Sequence, residues 1–505
     1  MMFFKNKKKT AQKTQPHSTN MDKCIEQLKT CLHDSSDFVI KTMKINNKRV
    51  LLAYLSEFIK DSSLNNHIIR HLNRVSQDEL TYQCLRETLP VAKLSVTNQL
   101  PIISENIVRG HVYIFVDGDS AGILAEIGER ATRAIDISLN ESTIFGPKVS
   151  FTEEVSANLN LVRGRIDDPN LKVEKIIVGK RAKTSVYIVY ISDIADIENV
   201  KTFKQRLEEL DVDTIIDSSI LSQQIEDNSL SIFPQFTVTE LPDLLTTSLI
   251  HGKVGLLVDR SPTAIIGPAT FLSFFESSED IYVRWNMGTF LRFLRFTSIF
   301  LSVLLTPAYV AVLTFHYEVI PSALLNSLGE SRANVPFPPV YEALIMEFVI
   351  EMLREAAARL PIKVGQSIGV VGGIVIGTAA VQAGFTSNIL IIIIGLSAIG
   401  SFTAPSYIMG TTIRLIRFPI IVLAGLWGGV GIMFCFCFIL IHLLRLTTLG
   451  RPYMSPVYPL RLRDWKYSLF RSPPQYYSMR PETNHPSDSQ RIPLKKQKMK
   501  KDIDE

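Results

Sequence analysis

The most constraining feature of this 505-residue chain is the uneven distribution of its charged residues. Between Phe290 and Leu446 long stretches approach zero charge, whereas residues 21–285 have mixed charge and short apolar runs. Charged residues make up only 20% of the chain, against about 25% in soluble domains. A helix needs about 20 apolar residues to cross a bilayer core about 30 Å thick. The sequence therefore predicts a soluble region followed by a membrane region.

The soluble region alternates strand and helix patterns. Thr184–Ser192 has strand alternation and precedes a helix pattern at Asp196–Leu210, an order that is typical of α/β folds. The segment Gly110–Asp117 can be laid on Gly252–Asp259, because both are apolar strands that enter a turn. Two α/β subdomains of related design would explain this match, but so would the general similarity of buried hairpins.

Motifs for catalysis and ligand binding are missing from the sequence. It has no glycine-rich phosphate loop, no Cys/His cluster and no placeable Ser-His-Asp pattern. We therefore predict no catalytic residues, no cofactor and no metal site. The chain carries a net charge of +5 and has basic ends, but no basic helix or aromatic platform accompanies them. We accordingly predict no nucleic-acid partner and interpret the basic ends as tails near an anionic membrane surface.

Four apolar runs in the membrane region are long enough to be spans. They lie at about residues 293–315, 368–383, 389–408 and 418–444. Basic residues before the first run and after the last predict that both termini are cytoplasmic, so the number of crossings is even. One observation counts against four crossings: Arg414 and Arg417, which we expect in a turn between the last two runs, would then lie outside.

The segment at residues 340–360 differs from the other membrane segments because it carries charge. On a helical wheel Glu347, Glu351, Arg354 and Glu355 lie within about 100° of one another, while Glu342 lies on the other side. This charged stripe is explained either by an amphipathic helix at the membrane interface or by a helix that lines a hydrated path. Our prediction is the path, with the stripe as a pore of net negative charge that admits cations. Because a full span here would make five crossings, we expect this segment to be re-entrant or to lie along the membrane or the pore wall.

A glycine row follows the charged segment. Its members recur every four residues at Gly365, Gly369, Gly373 and Gly377. Small residues at this spacing let helix backbones approach closely, which predicts a helix-packing face.

Several motifs carry a resemblance to a known family. They include PFPPVYEALIMEFVIEMLREAAARLP at 336–361, GGIVIGTAAVQAG at 372–384 and RPYMSPVYPL at 451–460. In these motifs the chain resembles the A-subunit family of bacterial spore germinant receptors, the GerA type. The resemblance covers most of the chain, from about Gly110 to Arg480.

The resemblance implies a multi-pass subunit in the inner membrane of the spore. It would act with a permease-like B subunit and a lipoprotein C subunit, and it would form a homo-oligomer that conducts ions in contact with membrane lipid. We therefore predict a non-enzymatic subunit that couples nutrient detection to ion release. The alternatives are a secondary transporter that uses intramembrane carboxylates, and a family member that modulates germination without sensing nutrient.

The predicted fold class is an α/β cytosolic N-terminal region followed by an all-α polytopic membrane domain and a Pro-rich basic tail. We expect the tail to be disordered from about Glu482. The predicted domains are a basic disordered arm at 1–35, α/β subdomains at 36–175 and 176–285, the membrane domain at 290–446 and the cytoplasmic tail at 447–505.

Overall fold

The computed structural model describes residues 16–45, 48–74, 80–129, 141, 145–360, 362–473 and 476–491, with the backbone alone at 362–371. The chain forms two compact units. The α/β unit comprises residues 1–226, 236–268 and 477–505, and the helical unit comprises 227–235 and 269–476. The chain therefore passes from one unit to the other at four points.

The α/β unit contains two five-stranded sheets of the same design. The first has the order β1-β2-β4-β5-β3 and the second β6-β7-β9-β10-β8, and every registered pair is antiparallel. The strands of the first sheet are β1 (Phe38–Ile45), β2 (Lys48–Leu55), β3 (Leu94–Thr97), β4 (His111–Val116) and β5 (Gly122–Glu126). Those of the second are β6 (Leu171–Val178), β7 (Thr184–Ile191), β8 (Thr237–Thr239), β9 (Val254–Val258) and β10 (Ala264–Gly267).

The helices of the α/β unit repeat in the same order, with α2 and α3, which residues Asn65–Ile69 join, at the place that α7 has in the second half. They are α1 (Met21–Cys31), α2 (Asp61–Leu64), α3 (Arg70–Leu72), α4 (Tyr82–Thr88), α5 (Leu100–Val108), α6 (Val155–Arg163), α7 (Ile197–Glu209), α8 (Ser218–Gln224) and α9 (Pro242–Ile250). Each sheet packs a helix, α5 or α9, whose buried residues recur at helical spacing. Each of these helices leads through a glycine of positive φ, Gly110 or Gly252, into the next strand. Of the two explanations for the sequence match, the structure therefore supports related subdomains.

The change from the first sheet to the second lies before the predicted boundary at residue 175. Strand β6 crosses that boundary and pairs with β7 along its whole length, from Leu171 to Val178. The two halves are joined by a buried ion pair, in which Arg163 of α6 donates 3.0 Å hydrogen bonds to both carboxylate oxygens of Asp37. Their side chains are 2% and 0% exposed.

Both predicted disordered ends are partly ordered, which corrects those expectations. In the arm, α1 buries Met21, Cys24 and Leu28 completely; residues 1–15 lie outside the described part. In the tail, Asn484 donates to the carbonyl of His251 and the Ser487 amide donates to Ile194, so the tail packs on the second subdomain. Prolines prevent a long helix there, but they do not prevent an extended segment from docking.

The helical unit follows the second sheet. Its main helices are α10 (Trp285–Phe315), α11 (Ser322–Arg332), α12 (Pro339–Arg359), α13 (Ile362–Gln382), α14 (Asn388–Phe402) and α15 (Tyr407–Arg445). A short strand pair, β11 (Thr447–Thr448) with β12 (Arg451–Pro452), and α16 (Trp465–Ser468) complete it. In the described residues, α10 and α15 are long and apolar enough to cross a membrane, and Gly372–Gln382 and Asn388–Phe402 are shorter apolar helices.

Helix α15 bends back on itself at Gly428, which has the non-helical angles φ 61° and ψ −138°. Thr412 and His442 would be about 45 Å apart in a straight helix. Their side chains nevertheless bond to two adjacent residues, Ile232 and Ser231. Residues 407–427 and 429–445 are therefore two antiparallel segments of a hairpin, about 30 and 25 Å long.

Contacts along the helices fix the directions of the segments, which we call legs. Helix α14 is antiparallel to α10, because Tyr309 bonds to Ser387 while Ser302 bonds to Ser397. Helix α12 is antiparallel to residues 407–427, with α13 leading back to α14. Six legs thus alternate in the described part: α10, α12, α13, α14, 407–427 and 429–445. We call the end at which α10 begins proximal and the end with the Gly428 bend distal.

The observed legs correct the predicted spans. The run at 418–444 contains the bend, so it is not one span. The turn before it lies at residues 403–406, where Pro405 and the helix cap Ser406 interrupt the backbone, and Arg414 and Arg417 lie inside α15. The segment at 340–360 is a full leg, α12. Six legs keep the start of α10 and the end of α15 at the same end of the unit, as an even number requires.

We predict that Gly428→Ala lowers the stability of the helical unit. A Cβ atom there would lie 2.9 Å from His316 Nε2 and 3.0 Å from Phe315 Cβ, and the backbone angles are ones that L-residues rarely adopt. Strain of this kind costs about 1–3 kcal/mol. The thermal unfolding midpoint of the purified full chain should fall by several degrees. Gly395→Ala is the control, since a Cβ there meets no atom within 4 Å; equal midpoints for the two variants would contradict the prediction.

Candidate functional site

Helix α12 presents the charged stripe to the rest of the helical unit. The helix begins at Pro339, whose ring suits the first helical position. Glu347 and Glu351 are one turn apart and therefore face the same side. That side meets the leg 407–427, which carries Arg414 and Arg417 on successive turns.

Glu347 and Arg417 form a buried ion pair at the centre of the unit. Arg417 Nη1 lies 2.7 Å from Glu347 Oε2, and the side chains are 1% and 2% exposed. The other oxygen of Glu347 accepts a 2.8 Å hydrogen bond from the Thr306 hydroxyl, and Arg417 Nη2 donates to Ser302 Oγ at 2.6 Å. Thr306 and Ser302 both belong to α10. The pair therefore joins α10, α12 and α15 in one register.

A second cluster lies next to this pair, toward the proximal end. Glu351 is shared by two guanidinium groups, with Arg354 Nη1 at 2.7 Å and Arg414 Nε at 3.4 Å. Arg354 also donates to Ser401 of α14 and lies 4.5 Å from the ring centroid of Phe402. Because a guanidinium can donate in several directions and stack on a ring, Arg354 can bridge α12 and α14.

Glu355, the remaining predicted stripe residue, differs from the others because it is exposed. It pairs with Arg359 at 2.5 Å, and the side chains are 61% and 78% exposed. With Arg354, Arg359, Arg414 and Arg417 the stripe region contains four arginines and three glutamates, which gives +4 − 3 = +1. Arginines from α15 therefore outweigh the negative charge of the stripe in the single chain, and a path of net negative charge stays a prediction.

The sequence did not single out a second buried carboxylate of α12, Glu342. It is fully buried near the distal end, where it pairs with Arg332 at 2.8 Å and accepts hydrogen bonds from the Ser387 amide and the Thr386 hydroxyl. Its position off the stripe had set it aside. The available signal was an acidic residue in the first turn of the helix, ten residues after an arginine.

The structure describes the surroundings of only part of the glycine row, the part at Gly373 and Gly377. The backbone of α13 is helical at Gly365 and Gly369, but their surroundings lie outside the described part. A Cβ built on Gly373 would meet no atom within 4 Å, and one on Gly377 would be 3.9 Å from Ile391. At Gly373 the row is therefore open in the single chain. Throughout the described residues, no three His, Cys, Asp or Glu side chains come together as metal ligands would.

The ion pairs of Glu347 and Glu351 make the packing of the helical unit depend on charged side chains in its interior. Removing one partner of a buried ion pair strongly destabilises the fold, because the other partner stays buried without a counterion. Since Glu351 already has two arginine partners, its pairing can change without leaving a carboxylate bare. The cluster thus offers alternative pairings inside apolar surroundings.

Similarity to known proteins identifies the family. A sequence profile described as Bacillus/Clostridium GerA spore germination protein matches residues 26–483. The chain belongs to the GerA family. This confirms the resemblance drawn from the motifs.

The relatives of this GerA-family chain share nearly its whole length. Spore germination protein GerQA of Bacillus cereus is 41% identical over 455 residues, which are 90% of this chain and 91% of that protein. Uncharacterized membrane protein YfkQ of Bacillus subtilis strain 168 is 33% identical over 471 residues, 93% of this chain and 92% of that one. The crystal structure of the N-terminal domain of the A subunit of the Bacillus megaterium spore germinant receptor GerK3 matches at 25% identity and a TM-score of 0.41, covering 51% of this chain and 98% of that one.

Glu347→Gln should destabilise the helical unit of this GerA-family chain by about 3–5 kcal/mol, because Arg417 then stays buried without a counterion. The double variant Glu347→Gln with Arg417→Gln should recover part of that loss. Glu355→Gln is the control, since an exposed pair contributes less than about 1 kcal/mol. Denaturant unfolding of the full chain in detergent measures all three. A single variant no less stable than the double would refute the role of the pair.

Proposed function

We propose that this chain is the membrane subunit of a spore germinant receptor that couples nutrient detection to ion release. Family membership supports the receptor role. The observation that carries the coupling role is the buried Glu347–Arg417 pair, since ionisable residues among apolar helices are rare and usually functional. A charged centre that holds three helices in register can change state only if those helices move.

The proposed location is the inner membrane of the spore, with both termini cytoplasmic. The proximal end carries Arg292 and Arg295 at the start of α10 and Arg445 at the end of α15, which favours the cytoplasmic side by the positive-inside rule. Six crossings follow from the six legs. Helix α14 is about 22 Å long, so it would be matched by local thinning of the bilayer.

The proposed ion path runs along the stripe Glu347, Glu351, Arg354 and Glu355. In the single chain arginines neutralise the stripe, so a cation can use its carboxylates only after the pairs rearrange. Glu351 is the first candidate because its side chain is 27% exposed, whereas Glu347 is 2% exposed. In the closed state of the path the carboxylates would be paired with arginines. In the open state they would be free of the arginines and would attract cations.

The proposed partners are further copies of this chain, a permease-like B subunit and a lipoprotein C subunit. Support for a homo-oligomer comes from α13, whose glycine row is open at Gly373. Close packing of a second helix at Gly373 would bury a surface that the described part of the chain leaves uncovered there.

The ion path is tested by recording single channels from the purified full chain in planar bilayers. We expect cation-selective currents, with a several-fold fall in the potassium-to-chloride permeability ratio for Glu351→Gln. Ile345→Val, at an exposed apolar position on α12, is the control and should keep the wild-type ratio. Wild-type selectivity in Glu351→Gln would end this assignment, and saturable flux without channel events would favour the transporter.

The glycine face is tested by replacing Gly373 with Leu, which should prevent the close approach of a second helix and shift the detergent-solubilised chain from oligomer to monomer. Val375→Leu is the control, because it places leucine on the opposite side of α13, at a position that is 56% exposed. Size-exclusion chromatography with light scattering separates the two forms. If Gly373→Leu remains as oligomeric as the wild-type chain, the row is not an interface.

A further inference from the structure

One connection is longer in the second subdomain of the α/β unit than in the first. In the first, residues 89–93 join α4 to β3; in the second, residues 225–236 join the equivalent helix α8 to β8. The longer connection contains residues 227–235, which leave the α/β unit and belong to the helical unit. We call this segment, Asp227–Gln235, the coupling loop.

The coupling loop binds both segments of the α15 hairpin. Its Ile232 carbonyl accepts a 2.8 Å hydrogen bond from the Thr412 hydroxyl on one segment. The adjacent Ser231 hydroxyl lies 3.0 Å from His442 Nε2 on the other. Phe233 is 3% exposed and packs in the apolar cluster that includes Ile413 and Leu443. The loop is therefore fixed at the proximal ends of the two segments.

The ends of the coupling loop are held by the chain that follows the hairpin. The Asp227 carboxylate accepts hydrogen bonds from the Thr447 hydroxyl and from the amides of Leu449 and Gly450, at 2.6, 2.9 and 3.0 Å. At the other end the Thr448 hydroxyl donates to the Gln235 carbonyl at 2.8 Å. These bonds attach both ends to the β11–β12 strand pair.

The coupling loop is also closed upon itself. Gln235 is fully buried, and its side-chain oxygen accepts from the amides of Asp227 and Asn228 at 2.9 and 3.2 Å. Ile225, two residues before the loop, and Phe236, directly after it, are 1% and 2% exposed, and Glu226 is half-buried. A closed loop with buried flanks has little slack, so a displacement of α8 or β8 is passed on instead of being absorbed.

We propose that the coupling loop transmits movement between the second α/β subdomain and the α15 hairpin. Displacement of α8 and β8 shifts the loop, and the loop shifts Thr412 and His442 together. The hairpin carries Arg414 and Arg417, so the shift reaches the buried ion pairs. This transmission is a property of the packing and holds whether or not the helices conduct ions.

Hydrogen exchange in the purified full chain tests the transmission, because energetic coupling between two places acts in both directions. Thr412→Val removes the bond to the loop, and loss of about 1 kcal/mol should speed exchange of the β8 and β9 amides about fivefold. Thr314→Val is the control, since the Thr314 hydroxyl bonds to Val310 of its own helix. It should leave those amides unchanged.

The decisive comparison repeats Thr412→Val in a chain with flexible Gly-Ser-Gly-Ser insertions after Glu226 and after Gln235. The insertions keep the loop's bonds to the hairpin but add flexible chain on both sides. In this chain Thr412→Val should therefore no longer speed the exchange of the β8 and β9 amides. The same insertion after Val91, in the equivalent connection of the first subdomain, should preserve the acceleration. Equal acceleration with and without the paired insertions, or none in either chain, would overturn the proposal.

Germination of spores that carry the same variants gives the functional result. Paired insertions should abolish nutrient-triggered potassium release at normal accumulation of the subunit, while the insertion after Val91 should keep it. Normal release from the paired-insertion chain would overturn a role of the loop in signalling. Absence of release from the wild-type chain would instead count against the proposed function, and the exchange measurement would still decide whether the loop transmits movement.

Discussion

The helical unit depends on one buried interaction, the ion pair between Glu347 and Arg417. Two charges in apolar surroundings are tolerated only when the geometry is good and the remaining polar atoms are bonded. Thr306 and Ser302 meet part of that requirement from α10. Sliding any of the three helices by one residue would separate these groups, so the pair selects one register among many that apolar side chains alone would permit.

The other charges are arranged around this pair at different depths. Glu342 closes the distal end with Arg332, and Glu351 with Arg354 and Arg414 lies on the proximal side. Between the Glu342 cluster and the central Glu347–Arg417 pair the contacts are apolar, as in the group formed by Val310, Ala343 and Ile421. The unit is thus joined by charge at the distal end, at the centre and on the proximal side, with apolar packing between the distal and central charges. Any movement that opens one cluster leaves the other able to hold the helices together.

Much of this architecture is visible in the sequence, and the failures have physical causes. Helix α12 is predicted within one residue of its observed ends, because its charge repeats at helical spacing. Its partners on α15 are not visible, because a helical wheel describes a single helix. The run at 418–444 has the pattern of one span because Trp427, Gly428 and Gly429 carry no charge that would mark the bend. Docking of the tail depends on the carbonyls of Ile194 and His251, whose positions only the folded subdomain determines.

The four passages of the chain between the two units affect how relatives can exchange parts. A recombination at Pro268 alone would combine the coupling loop of one parent with the hairpin of the other, and the tail segment with a foreign second subdomain. Exchange of a whole α/β unit with its contacts intact needs junctions at 226, 235, 268 and 476. Single crossovers within this family are therefore expected to give mismatched proteins, and the two units to change together in evolution.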